Sequence, residues 1–237
     1  MIVAVAALAG LLIGLVLSLW WAGLLVGLAL GGGTAALLDR RGESAALAGV
    51  HTRPAAEDGE ARLHNLTEGL CNVVGVAKPE LLVIDTPAAN IAAIGRDPRR
   101  SMLVVTSGLL DSLERIDLEG VVAHQLRRVK QHDVAVATRA VGFAPLAGLP
   151  VLGPRITRSL GGADDLFLAD RAAVDVTRYP PGLVGALVKI RDAGPRVPGV
   201  PPAAAHLWIA PPVIDQEIVG DRPLPSLDDR IAALREL

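Results

Sequence analysis

One cysteine, Cys71, stands in 237 residues, so no internal disulfide framework holds this chain together. A lone thiol fits a reducing compartment. Lysine is scarce too: of 23 Lys and Arg residues only Lys78, Lys130 and Lys189 are lysine, a coding bias that carries no functional signal. The net charge of −2 supplies no global basic field, which argues against nucleic acid as a partner. Internal repeats and low-complexity tracts are missing. The longest absence is of charge, with no Asp, Glu, Lys or Arg from Ile2 to Leu38.

As one helix that uncharged stretch would run about 55 Å, against a hydrocarbon core of about 30 Å. Two spans joined near Leu19-Trp20-Trp21-Ala22-Gly23 fit better, with the Trp pair at the far interface. Gly10, Gly14, Gly27 and Gly31 would let the two helices approach closely. One long, tilted or broken signal anchor is the alternative. A cleaved signal peptide is disfavoured, because no basic segment precedes the apolar run. Asp39-Arg40-Arg41 follows directly, and the positive-inside rule then puts the rest of the chain in the cytoplasm under either arrangement. The expectation is a membrane segment over 1–41 in the inner or plasma membrane, a linker over 42–59 and a folded domain over 60–237. The Asn65-Leu66-Thr67 sequon has no meaning on the cytoplasmic side.

The centre of the chain is His124-Gln125-Leu126-Arg127-Arg128. In the zinc-peptidase motif HExxH, two histidines one helical turn apart bind the metal, and the intervening glutamate is the base for the bound water. Here His124 keeps the first ligand position. Gln125 holds the base position, and its amide cannot take a proton. Arg128 holds the second ligand position with a permanent cation. The stretch Asp117-Leu118-Glu119, Val122-Ala123-His124 and Asp133 resembles the HtpX-like membrane metallopeptidases, relatives of the CaaX prenyl endopeptidases. Further likenesses are Leu63-His64-Asn65 with Glu68-Gly69-Leu70, Asn90 with Gly95-Arg96, Thr106 to Leu110, Asp170-Arg171, Ala186-Leu187 with Lys189, His206-Leu207-Trp208-Ile209 with Pro211, and Arg230-Ile231. The resemblance implies an α+β, mostly helical zincin-like domain with a small sheet behind a transmembrane hairpin. It also implies a bound zinc whose third ligand is a glutamate four residues before Asp170, with Asp170 as its support. Leu166 occupies that third position. Asp165 is adjacent, but a one-residue shift turns a helical side chain by about 100°.

These losses decide the metal question at sequence level. A guanidinium about 4 Å from a dication is repelled by roughly 8 kcal/mol at an effective dielectric of about 20, a large part of the about 10–16 kcal/mol that a structural zinc site is worth. His132 and Asp133 do not rebuild the site, since residues eight apart on a helix lie about 12 Å apart along its axis. The expectation is no cofactor, with an Asp170–Arg128 ion pair filling the former metal site.

The remaining chain is read in order. Leu63, Leu66, Leu70 and Val73 mark one face of a helix over 60–74 that stops at Gly75, with His64 on its surface. Strands are expected over 81–84, 90–96 and 102–106. In zincins an edge strand pairs with extended substrate, so Asn90, Ile91, Ala92, Ala93 and Ile94 are the candidate peptide-binding strand, with a purely structural hairpin as the alternative. Asp117 is the expected N-cap of the central helix, and Leu118, Val122 and Val129 its buried side. The cationic end at Arg127, Arg128 and Lys130 suits a helix C-terminus. Residues 134–152 read as a buried or interfacial helix–loop broken by Pro145 and Pro150. Helices are expected over 181–192 and after Ser226, a loop over 194–202, and a structural His206. In place of the family's C-terminal histidine, Arg222 precedes Pro223. Three functions follow: a membrane-tethered pseudoprotease that binds a protein or an extended peptide, a zinc metalloendopeptidase whose ligands are completed from elsewhere, or a membrane-anchored structural protein.

Overall fold

The computed structural model describes residues 2–16, 19–146, 166–212 and 225–237. The uncharged stretch folds as two antiparallel helices, α1 (Ile2–Val16) and α2 (Trp20–Ala46). A Cβ on Gly10 would collide with the Gly23 carbonyl oxygen, so the helix backbones touch where glycine allows it. From Trp20 to Leu38, α2 is about 28 Å long, close to one hydrocarbon thickness of about 30 Å. It then continues unbroken to Ala46. Residues 42–59 are therefore not a plain linker: they begin as helix and include the two-residue strand β1 (Arg53–Pro54).

Helix α3 (Ala61–Val74) ends at Gly75, whose φ of 77° supplies the left-handed cap. Its buried face is Leu63, Leu66, Leu70 and Val74. Val73 points outward at 68 % exposure, because at about 100° per residue Val74 falls about 20° from Leu63 and Val73 about 80° from it. Three longer strands follow: β2 (Glu80–Ile84), β3 (Ile91–Ile94) and β4 (Met102–Thr106). The sheet order is β1-β2-β4-β3; β2 and β4 are parallel, and β1–β2 and β3–β4 are antiparallel. Asp97 builds the β3–β4 turn, its carboxylate accepting from the Arg99 amide and its carbonyl from the Arg100 amide.

The Thr106 hydroxyl caps α4 (Ser107–Ser112). The chain continues through α5 (Arg115–Lys130), α6 (Asp133–Phe143), a short 3-10 turn (Ala144–Leu146), α7 (Leu166–Thr177) and α8 (Pro180–Ala193). A 3-10 segment (Pro202–Leu207) leads to an extended stretch through Ala210, and α9 (Leu227–Arg235) closes the described chain. Ser226 caps α9 by accepting from the Asp229 amide at 3.1 Å. The sheet alternates cleanly between two apolar layers. Leu81, Val83, Ile91, Ala93, Leu103 and Val105 join α3, α5 and α8 on one side. Leu82, Ile84, Ala92, Ile94 and Val104 join α6 and Trp208 on the other. Through 146 the stretch after α5 is helical and packs against α2; Pro150 and Leu152 lie outside the described residues, as do Asp165 and Arg222-Pro223.

Candidate functional site

Helix α5 carries His124-Gln125-Leu126-Arg127-Arg128 through the middle of the protein. It starts earlier than expected: Glu114 is the N-cap and Asp117 is the third helical residue of a capping box. Asp117 also receives Lys189 of α8 at 2.6 Å, which raises the lysine's pKa through that hydrogen bond. Gly120 lets α8 come close, since a Cβ there would sit 2.9 Å from Leu183 backbone atoms. The expected apolar side, Leu118, Val122 and Val129, is buried, and so are His124, Gln125 and Arg128. This helix is enclosed on nearly every side.

His124 is fully buried, and its Nδ1 lies 2.9 Å from Oδ1 of Asp170 on α7. The approach is off the line of a hydrogen bond, so it is a close charge–dipole contact. Burial pushes the imidazole pKa down and outweighs the pull of Asp170; Arg230 and Arg128 push in the same direction as burial. The ring is neutral at neutral pH. Among the described residues, its Nε2 has no hydrogen-bond partner.

Asp170 is the hub. Burial alone would raise its pKa, but Arg230 reverses the sign and holds the carboxyl at about 2. The pair is bidentate, with Arg230 Nε 2.8 Å from Oδ2 and Nη2 2.7 Å from Oδ1. The remaining guanidinium nitrogen, Nη1, donates to the Ile209 carbonyl. The expected Asp170–Arg128 ion pair is thus replaced by Asp170–Arg230. Arg128 donates to the His206 and Leu207 carbonyls. Arg230 was legible only as part of a motif; the missed signal is its place one turn before Leu234 on the buried side of an amphipathic helix.

Arg128 is 1 % exposed, so it is not a solvated cation at a helix end. Its Nη2 donates to the His206 carbonyl at 2.8 Å, and its Nη1 to the Leu207 carbonyl at 3.1 Å and to Gln125 Oε1 at 3.3 Å. Gln125 in turn donates from Nε2 to the Ile91 carbonyl at 3.0 Å. The two positions that would hold a base and a ligand therefore tie α5 to strand β3 and to residues 206–207. Leu166, expected at the third ligand position, is buried on α7 one turn before Asp170. His206 is buried with Nε2 3.4 Å from the Ala137 carbonyl, and it meets Arg128 through its backbone. His64 sits at the helix surface against the Ala55 carbonyl, and His132 is exposed in the turn after α5.

Asn90 to Ile94 form a closed strand in this structure. Asn90 Nδ2 donates to the Pro195 and Ala210 carbonyls at 2.8 and 2.9 Å. The Ile91 carbonyl accepts from the Ile209 amide at 2.8 Å, and Ala92 pairs with Trp208 across an antiparallel bridge. Every one of these strand residues is at most 1 % exposed. The chain's own residues 208–210 occupy the edge where an extended peptide would add.

Over 206 residues the chain is 32% identical to a protease HtpX homolog of Dictyoglomus thermophilum, covering 73% of this chain and 68% of that relative. This chain belongs to the HtpX protease family. Among other HtpX homologs, one from Tropheryma whipplei (strain Twist) is 28% identical over 223 residues, covering 78% of this chain and 75% of the relative. One from Pelotomaculum thermopropionicum is 28% identical over 232 residues, covering 82% of each. No family model and no solved structure matches the chain. The HtpX likeness thus spans most of the chain, including α5 with Gln125 and Arg128 and α7 with Leu166 and Asp170.

Proposed function

We propose that this HtpX-family chain is a pseudoprotease: a membrane-tethered binding or regulatory scaffold with a zincin-like domain on the cytoplasmic side. The observation that carries the reading is the placement of Arg128. A guanidinium stands at the second ligand position and donates to the His206 and Leu207 carbonyls. The residues here do not suit zinc. His124 is the one nitrogen donor left in the motif; an amide, a guanidinium and an aliphatic side chain hold the other positions. Among the described residues, no three His, Cys, Asp or Glu side chains gather as a ligand set. The partner class is protein, and an extended peptide reaches residues 90–94 only by displacing 208–210. The apolar hairpin supports the tether, and Asp39-Arg40-Arg41 supports the cytoplasmic orientation.

A second reading, a zinc metalloendopeptidase completed by ligands from elsewhere, is favoured by the buried His124 Nε2 without a hydrogen bond and by Asp170 behind the ring. Metal analysis of the detergent-purified full chain, with a cleavage assay on an unfolded protein substrate, separates the two. Substoichiometric zinc and no cleavage are expected. One zinc per chain with cleavage that an Arg128→Ala change abolishes or enhances would overturn the scaffold reading.

A further inference from the structure

Residues 39–43 of α2 mark a distinct level of the molecule. They follow the last apolar turn and span about 6 Å of helix, close to the depth of one headgroup layer in a bilayer whose core is about 30 Å and whole about 40–45 Å thick. The β3–β4 turn packs against this level. Arg96 reaches Asp39 at 3.1 Å and Glu43 at 3.5 Å, and Arg139 of α6 reaches Asp39 at 3.3 Å. The carboxylates of α2 are thereby neutralised by the folded domain. Beside them opens a cavity of about 570 Å³ lined by Lys78, Arg96, Arg99, Arg100 and Arg139.

Arg99 and Arg100 are exposed at the tip of the turn, and among the described residues their guanidinium groups make no hydrogen bond or ion pair. Arg40 and Arg41 are exposed at the same level of α2, also with no ion pair among the described residues. Glu43, Glu80 and Asp97 line the cavity too; Glu43 is paired with Arg96, and Asp97 is engaged by the Arg99 amide. The local excess is cationic in a chain whose net charge is −2. Planar guanidinium forks match phosphate oxygens, and a cavity at headgroup depth presents them to a lipid phosphate.

We infer that this cavity is a binding site for the headgroup phosphate of an anionic phospholipid, with Arg99 and Arg100 as its recognition residues. The site docks the β3–β4 turn on the membrane surface and fixes the folded domain relative to α2. It rests on the membrane-tethered reading.

The test is native mass spectrometry of the full chain in neutral detergent with equimolar phosphatidylglycerol and phosphatidylcholine. Wild type should retain phosphatidylglycerol in roughly thirtyfold preference, from two arginines near an anionic group. Arg99→Glu/Arg100→Glu should abolish the preference. Arg115→Glu/Arg235→Glu, the same change in net charge on α5 and α9, should keep it. No preference in wild type, or its survival in the Arg99/Arg100 variant, overturns the site. Loss of bound phosphatidylglycerol to an equal concentration of inorganic phosphate overturns the lipid assignment. Alkaline carbonate extraction of membranes is run alongside: release of the chain defeats the tether itself, whereas retention with no lipid preference defeats only the site.

Discussion

Replacing Arg128 with alanine tests the central geometry. The change removes charge-assisted bonds to the His206 and Leu207 carbonyls and leaves both buried acceptors without that donor. Two such bonds are worth about 1.5–3 kcal/mol each, and the relief of burying a guanidinium offsets part of that. The net loss works out at about 2–4 kcal/mol, or about 5–15 °C in Tm at roughly 2–4 °C per kcal/mol for a chain of this size. The loss is also local. Ile209 donates to Ile91, so its amide should exchange about thirtyfold faster or more in Arg128→Ala when followed by hydrogen–deuterium exchange. Arg128→Lys should fall between, because one ammonium does not reproduce the two-pronged geometry. Arg128→Met keeps the apolar stem and should match alanine in exchange while losing less in Tm. A Tm within about 2 °C of wild type, with an unchanged Ile209 amide, would refute the clamp.

His124 supplies a pH prediction. Its folded pKa lies below the ordinary 6.5, so the unfolded chain takes up this proton first, and stability falls as pH drops below about 6.5. The slope reaches about 1.4 kcal/mol per pH unit and should vanish in His124→Gln; parallel profiles would contradict it. Asp170 is ionised down to about 2 in the fold against 3.8 ordinarily, so its contribution is present above 3.8 and lost as pH falls through about 2. Asp170→Asn and Arg230→Met should each cost about 3–5 kcal/mol, and the double variant should lose less than their sum in denaturant titrations; strict additivity would disprove the pair. In the hairpin, Gly10→Val should push α1 off α2 and reduce inter-helix cysteine cross-linking, whereas Gly32→Ala and Gly33→Ala, with nothing within 4 Å of an added Cβ, should leave it intact.

Much of the scaffold was legible because it is written in local patterns. The α3 helix with its glycine stop, the three longer strands and the helix after Ser226 follow from periodicity, turn residues and capping chemistry, and the two-helix N-terminus from the length of the uncharged run. What was illegible depends on packing. Asp117 looked like an N-cap, yet Glu114 captures the helix three residues earlier. Val73 and Val74 are equally apolar, and the burial of Thr67 and Cys71 turns the face of α3 toward Val74. Asp170 needed a cation, and the sequence offered several arginines. Arg230, 60 residues away along the chain, takes it because α9 folds back over α7. Arg128 drew attention as a cation inside the central helix, but its carbonyl partners come from a stretch after Pro201-Pro202 with no periodic signal.

The closing of β3 by residues 208–210 has a consequence for biosynthesis. The sheet is complete in sequence at Thr106, but its cover is made about a hundred residues later, roughly 5–20 s at synthesis rates of about 5–20 residues per second. During that interval Ile91 to Ile94 present an unpaired apolar edge, the kind that recruits strands from neighbouring chains. The opposite edge needs no such delay, because β1 is only two residues long and ends in Pro54. That edge stays open until the last third of the protein arrives to seal it.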